Sequence, residues 1–587
     1  MVRRIVIPLL GILLGCALLG NAWPAQSPPA RDTPAQKEAP PPMGRITGRV
    51  LAADNGRPIK RARAYVSAPE LPEGRGTLTD DSGVFELTEL PAGRYTLTAS
   101  KTGFIALSYG QRRPFQAGTP LQLRDGQQMR GIEFRLPRGS VVAGHVLDET
   151  GDPMPGVVVR VMRYQYAQGE RQLVPAGTVQ TDDQGTFRAW GLNPGDYYVS
   201  AVTNNFDFGP GGRGGPGGGF GGRGGGRGGT AAGRFADSSS DDETVKAYAP
   251  TYYPGVGSIS EARPVRVAVG QELLDVDFSL LLVRTARVTG LVTNSDGTPA
   301  SSGQMDLMPE GSSTRGRGQT GANFRSRIEW DGGFAIANVP PGRYMLRARG
   351  DDTESPQYAA QPLTVASVDV SDVTVLLYPG ASINGTVTFE GSPAPELNQI
   401  RITAPSAENA LTAGNPNARV EKDGHFTLDG VPAGLHWIRS GGGLRGWSLK
   451  SVIVDSHDVA DTPVELRSGE ILNDVNVVFT NKQTEIDGTV TDERGNPITD
   501  FTVLAFPSDP LLWRPLARQI MTARPDQNGK FQIRGLPSGT YYLATVDPAE
   551  QGEWFEPAFL DQQRIAATRL ILGDGDTKTH DFRISTR

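Results

Sequence analysis

The stretch Asp80-Asp81-Ser82-Gly83-Val84-Phe85-Glu86-Leu87-Thr88-Glu89-Leu90-Pro91-Ala92-Gly93-Arg94-Tyr95 decides the fold of this chain. Asp80 offers a carboxylate to cap a tight turn, and Gly83 tolerates the positive φ such a turn requires. Phe85 falls on the strand that follows and points inward. Leu90-Pro91-Ala92-Gly93 ends that strand and reverses the chain, because proline cannot donate to a ladder. Tyr95 then begins the next strand, Tyr95-Thr96-Leu97-Thr98-Ala99.

The same frame returns four more times without a gap. The copies are Asp182-Gly185-Phe187-Leu192-Gly195-Tyr197, Glu329-Gly332-Phe334-Val339-Pro340-Gly342-Tyr344, Glu421-Gly424-Phe426-Val431-Pro432-Gly434-His436 and Asp526-Gly529-Phe531-Leu536-Pro537-Gly539-Tyr541. A repeat of this kind sets the architecture before any single residue is weighed. Each copy is preceded by a short strand carrying a glycine between apolar residues, at Gly48, Gly144, Gly290, Gly385 and Gly488. Each unit closes on an alternating segment, such as Gly131-Ile132-Glu133-Phe134-Arg135-Leu136 or Val475-Asn476-Val477-Val478-Phe479. Roughly seven short strands per unit, with turns between them and no helical period, predict an all-β chain, a tandem array of five β-sandwich domains.

The Gly-x-Val opening strand, the Asp-x-x-Gly-x-Phe turn and the Leu-Pro-x-Gly-x-Tyr turn resemble the carboxypeptidase regulatory-like domain, a transthyretin-like sandwich. The resemblance covers residues 44–587 almost entirely, five times. It implies the fold and carries no peptidase activity with it. The zinc ligands of such enzymes belong to a separate α/β domain, whose pattern does not occur here. Closely related sandwiches include starch-binding-like domains, and from them comes an expectation of carbohydrate binding. The fourth unit departs from the frame, with His436 in place of tyrosine.

The expected divisions are an export signal at 1–22, a Pro/Ala-rich linker at 23–43, and repeats at 44–137, 138–282, 283–378, 379–480 and 481–587. Within the second repeat, residues 207–235 form a Gly/Arg-rich insertion that cannot build a core and is expected to be disordered. At the N-terminus, Arg3 and Arg4 precede an apolar run from Ile5 to Leu19 that is short for a membrane span. Two processing routes stand open: cleavage after Ala22, or lipidation of Cys16 in a lipobox-like Leu13-Leu14-Gly15-Cys16. Cys16 is the one cysteine, so no disulfide forms within the chain. The net charge of -6 is spread along the chain and gives no basic field for nucleic acid.

A search for reactive chemistry finds little. The five histidines have no zinc-ligand spacing, and no nucleophile elbow or phosphate-binding loop is present. The acidic pairs Asp80-Asp81 and Asp182-Asp183 lack calcium-loop spacing and read as turn caps. Arg349-Gly350-Asp351 spells an integrin-type tripeptide that chance easily supplies. No cofactor or metal is expected. The remaining leads are aromatic residues in loops: Trp513, Trp554 and Phe555 in the last unit, and Tyr252 and Tyr253 in the second. They would stack sugar rings, or else plug the ends of the sandwiches. The functional expectation is a non-catalytic exported array that binds polysaccharide at the cell envelope or outside it. The alternative is a structural spacer or a scaffold that docks an envelope protein, with membrane attachment only through Cys16.

Overall fold

The structure is a computed structural model, and it describes residues 42–112, 115–167, 170–203, 246–310, 324–352, 355–407, 416–441, 444, 446–515, 517–547 and 552–585. The export signal with Cys16, nearly all of the linker and the Gly/Arg-rich insertion lie outside the described residues.

The frame folds from its turn outward. Asp80 Oδ1 accepts hydrogen bonds from the backbone N–H of Ser82 (2.9 Å) and Val84 (2.8 Å), and Gly83 adopts φ 74°. Asp182 and Asp526 cap their turns in the same way. In the two copies that begin with glutamate, the cap moves two residues on. There Asp331 accepts from Gly333 N–H and Asp423 from His425 N–H.

From each turn a strand carries the frame phenylalanine into the interior. Phe85, Phe187, Phe334, Phe426 and Phe531 are all buried, each in a separate hydrophobic cluster. Complete burial of such a side chain contributes about 1.5–3 kcal/mol. The tyrosine closes the motif. Its ring is buried, and its hydroxyl donates to the carbonyl four residues back: Tyr95 to Pro91 (2.7 Å), Tyr197 to Asn193 (2.7 Å), Tyr344 to Pro340 (2.8 Å) and Tyr541 to Pro537 (2.8 Å). Burial pushes all four phenols above their ordinary range.

The first unit contains β1 (Gly44–Ala52), β2 (Arg63–Ala68), β3 (Leu71–Leu78), β4 (Val84–Leu90), β5 (Gly93–Ser100), β6 (Leu107–Ser108), β7 (Leu121–Leu123) and β8 (Gln128–Leu136). One sheet has the order β4-β1-β8 and the other β3-β2-β5-β6, with β7 also on β5. The opening strand β1 is antiparallel to β4 and parallel to β8. The same parallel pairing of opening and closing strands recurs in the other units. The opening glycine sits where these strands crowd. A Cβ on Gly48 would lie 2.4 Å from the Ile132 carbonyl oxygen and 2.6 Å from the Phe85 ring. At Gly290 the Val373 carbonyl oxygen of the closing strand would be 1.9 Å away, and at Gly488 the oxygen of His580, just before the closing strand, 1.8 Å.

The chain is nearly all β, and among the described residues the one α-helix is Pro557–Arg564. No helix among them is long and apolar enough to cross a membrane. Neighbouring units touch, and so do distant ones. Arg518 binds both carboxylate oxygens of Asp461, at 2.6 and 2.9 Å, joining the fifth unit to the fourth. Arg94 donates to the Arg524 carbonyl at 2.6 Å and Arg112 pairs with Asp500 at 2.7 Å, joining the first unit to the fifth. Tyr166 donates to Glu556 at 2.6 Å, joining the second to the fifth.

Two outcomes follow. Phe531→Ala destabilises its own cluster by about 3–5 kcal/mol, measured as loss of the corresponding denaturant transition. The turn carboxylates lie below the ordinary 3.8: Asp80 chiefly through the Val84 backbone N–H it accepts, and Asp148, Asp296 and Asp492 chiefly through side-chain hydrogen bonds from Thr150, Thr298 and Asn496, with backbone N–H donors adding to each. Because their folded pKa is depressed, their stabilisation is complete above pH 3.8 and fades as pH falls through the folded values. Urea midpoints should therefore hold steady from neutral pH down to about pH 5 and drop below the carboxylate range.

Candidate functional site

In the third unit, the strand Gly342–Gly350 alternates as a half-buried strand must. Tyr344, Leu346 and Ala348 point into the core, which leaves Arg347 and Arg349 on the outer face. Its neighbour Gly303–Pro309 buries Met305 and Leu307 and turns Gln304 and Asp306 outward. Register then sets side chains opposite one another. Gln304 faces Arg349, Arg349 faces Tyr358, and Tyr358 faces Tyr378. One step along, Arg347 and Arg325 flank Asp306 on its two sides.

The fourth unit supplies the opposite wall. Its frame turn, Pro432-Ala433-Gly434, stands across from this sheet with Ser406, His436 and Ser468. Between the two units lies a cleft of about 560 Å³, within the range of about 300–1,000 Å³ usual for ligand sites. The junction is closely fitted. Tyr358 Oη donates to the Gly430 carbonyl at 3.0 Å, and Ser468 Oγ and Gly469 N–H both donate to the Pro379 carbonyl at 3.0 Å. Gly430 has φ 71°, and a Cβ there would lie 2.4 Å from Pro356 Cγ, so only glycine allows this approach.

His436 is the frame's departure from tyrosine, and its setting explains the exchange. The ring is buried, and Nδ1–H donates to the Ala404 carbonyl at 2.8 Å. A bond to the segment that follows the strand Arg401–Thr403 thus replaces the tyrosine's bond to its own turn. Asp306 is held by Arg325 at 2.9 Å. Arg347 has no hydrogen-bond acceptor for its buried Nε among the described residues. Burial lowers its pKa, and the Asp306 charge partly offsets this. Tyr378 is half exposed, at 51%.

The aromatic residues expected from sequence lie elsewhere. Trp513 is enclosed at 6% exposure; its indole N–H donates to the Pro507 carbonyl at 2.8 Å, and its ring packs edge-on to Phe506. Trp554 and Phe555 pack against the same cluster, to which the helix residue Leu560 also belongs. Tyr253 meets Phe278 edge-on, and burial raises the pKa of Tyr252. These five residues fall into two groups, in the last and second units, and neither group lines the cleft. Among the described residues the most exposed tryptophans are two that sequence reasoning passed over, Trp330 at 81% on the third frame turn and Trp190 at 53%. The cleft was also missed. Its signal was the pair Arg325-Ser326-Arg327 and Arg347-Ala348-Arg349 in one unit, two arginine pairs at strand spacing. The Arg349-Gly350-Asp351 tripeptide is part of this strand end, with Gly350 buried. Among the described residues, no group of three or more His, Cys, Asp or Glu is placed to hold a metal ion.

Residues 45–137 match the family model of the carboxypeptidase regulatory-like domain, so the first unit is a domain of that family. No curated protein matches the chain. Solved structures similar to it include the Bacillus anthracis TIE protein, at 9% identity over 75% of this chain and 73% of that one, with a TM-score of 0.15. The minor pilin GBS52 of Streptococcus agalactiae is 13% identical over 41% of this chain and 97% of its own, with a TM-score of 0.21. The full-length major pilin RrgB of Streptococcus pneumoniae is 9% identical over 92% of this chain and all of its own, with a TM-score of 0.16. Likeness at these scores carries no argument about arrangement or ligand.

The fit at the junction is testable. Gly430→Ala places a side chain at positive φ against Pro356, and should cost about 1–2 kcal/mol from the left-handed backbone alone. Thermal unfolding followed by limited proteolysis checks it, with earlier cleavage between the third and fourth units as the expected result.

Proposed function

We propose that the chain is an exported, non-catalytic binding array of five β-sandwich domains that holds glycans at the cell envelope or outside it. The observation that carries this reading is the cleft between the third and fourth units. It joins two tyrosines to amide, carboxylate, hydroxyl and guanidinium groups. A sugar ring has an apolar face that stacks on an aromatic ring and a rim of hydroxyls that both donate and accept. Gln304, Asp306 and Arg349 on one wall and Ser406 and Ser468 on the other suit that rim.

The frame residues form turns and cores in every copy, and among them only Pro432, Gly434 and His436 of the fourth unit also line the cleft, so the remaining chemistry that differs between copies lies outside the frame. Linked domains raise the retention of a long polymer when geometry lets several engage at once. Trp554, Phe555, Tyr252 and Tyr253 belong to this proposal as secondary contacts, each partly occupied in packing. Trp513 belongs to it only as support for the loop that carries it. Export rests on the N-terminal signal, with lipidation at Cys16 as the one membrane attachment proposed.

The competing reading is a scaffold that docks an envelope protein, and the contacts among distant units favour it to the extent that they make a fixed platform. Affinity electrophoresis separates the two. Polysaccharide in a native gel should retard the purified chain, and Tyr378→Ala should weaken retardation about tenfold, or about 1.4 kcal/mol. Tyr378 is half exposed, so the variant keeps its fold. Migration unchanged across a broad polysaccharide panel, with a protein partner recovered in stoichiometric amount, would overturn the glycan reading.

A further inference from the structure

The outer face of the third unit is basic within an acidic chain. Arg325 and Arg327 extend from the strand Phe324–Ile328, and Arg347 and Arg349 from Gly342–Gly350. Between them the strand Gly303–Pro309 contributes one carboxylate, Asp306, and Arg325 already engages it at 2.9 Å. Four guanidinium groups therefore face one carboxylate, on a chain whose net charge is -6. None of Arg327, Arg347 and Arg349 forms an ion pair among the described residues, whereas Arg343 on the same strand pairs with Glu310 at 2.9 Å. Arg347 is half-buried beside the cleft with its buried Nε lacking an acceptor among the described residues, and an unpaired buried donor is costly unless an acceptor such as an anion completes it.

The aromatic part of the cleft adjoins this charge. Arg349, Tyr358 and Tyr378 stand in register on adjacent strands, with Gln304 before them. At about 4.8 Å between strands, the row of four spans about 14 Å, which suits an oligosaccharide better than a single ring. A planar guanidinium fork binds a carboxylate bidentately, a geometry that a neutral hydroxyl does not exploit.

We propose that the cleft takes an acidic polysaccharide whose sugars bear carboxylates, with Arg347 and Arg349 binding the carboxylate and Tyr358 and Tyr378 bordering the ring. This rests on the glycan reading above and narrows its ligand class. Arg325 and Arg327 widen the positive field, which draws the polymer in and makes its capture sensitive to salt.

The test is calorimetric titration of the purified chain with polygalacturonate and with its methyl-esterified form, which keeps the sugar and linkage and removes the charge. Polygalacturonate should bind at least tenfold more tightly. Its binding should weaken about tenfold in Arg349→Gln and fall steeply between low and high salt. Arg349 is exposed, so the variant should keep the parent melting temperature; Arg347→Gln is a second variant with the same expected loss. Equal binding of the esterified polymer, or binding confined to neutral glucans, overturns the acidic-ligand proposal and leaves the glycan reading standing. Absence of binding to every glycan overturns both. Single-stranded DNA binding as tightly as polygalacturonate, and lost equally in Arg349→Gln, marks a general polyanion site and overturns the proposal.

Discussion

Each unit depends on the crowding at one glycine. The opening strand runs between an antiparallel neighbour that carries the frame phenylalanine and a parallel neighbour that closes the unit. At Gly48, Gly290, Gly385 and Gly488 a Cβ would meet both the phenylalanine ring and a carbonyl oxygen of the strand before or within the closing segment. Glycine there lets three strands approach and lets the ring lie across the backbone. The capped turn aims the phenylalanine, and the tyrosine hydroxyl fixes the return. The frame thus acts as one device, and its residues are committed to folding.

The fourth unit shows how much that device can bend. His436 keeps the buried position and replaces the hydroxyl's bond with one to the Ala404 carbonyl. The turn between Val431 and His436, no longer tied to that residue by the usual bond, forms a wall of the cleft. The one copy that replaces the frame tyrosine is therefore one that contributes to a ligand-sized space. The neighbouring third unit alters its outer face instead, with arginines and tyrosines where register lines them up.

Much of the fold was legible because turns and cores act locally. Asp80-x-x-Gly83, Phe85 and Tyr95 each announce a role within a few residues of chain, and the structure assigns them those roles. The parallel pairing of opening and closing strands was not legible, since alternation reveals which face is buried and says nothing of which strand lies beside it. The site was less legible still. Arg347 and Arg349 gain meaning only from the register that brings Gln304, Tyr358 and Tyr378 beside them, and from a second unit that closes the space. Trp513 misled for a related reason. Its proline-rich loop looks solvent-facing in sequence, yet it folds over a second cluster built from Leu504, Phe506 and Leu560. Trp330 lies in a frame turn, and nothing in its neighbouring residues signals that its ring remains uncovered.

The central claim is that the frame builds the domains while ligand chemistry sits where copies differ, at the junction of the third and fourth units. Hydrogen exchange of the purified chain with and without saturating polygalacturonate tests this most directly. The account predicts added protection in 303–309, 324–328, 342–350 and 357–365 together with 432–436, and no change in the frame turns of the first, second and fifth units. Protection centred on the loops around Trp513 and Trp554, or spread equally over all five frame copies, would contradict it.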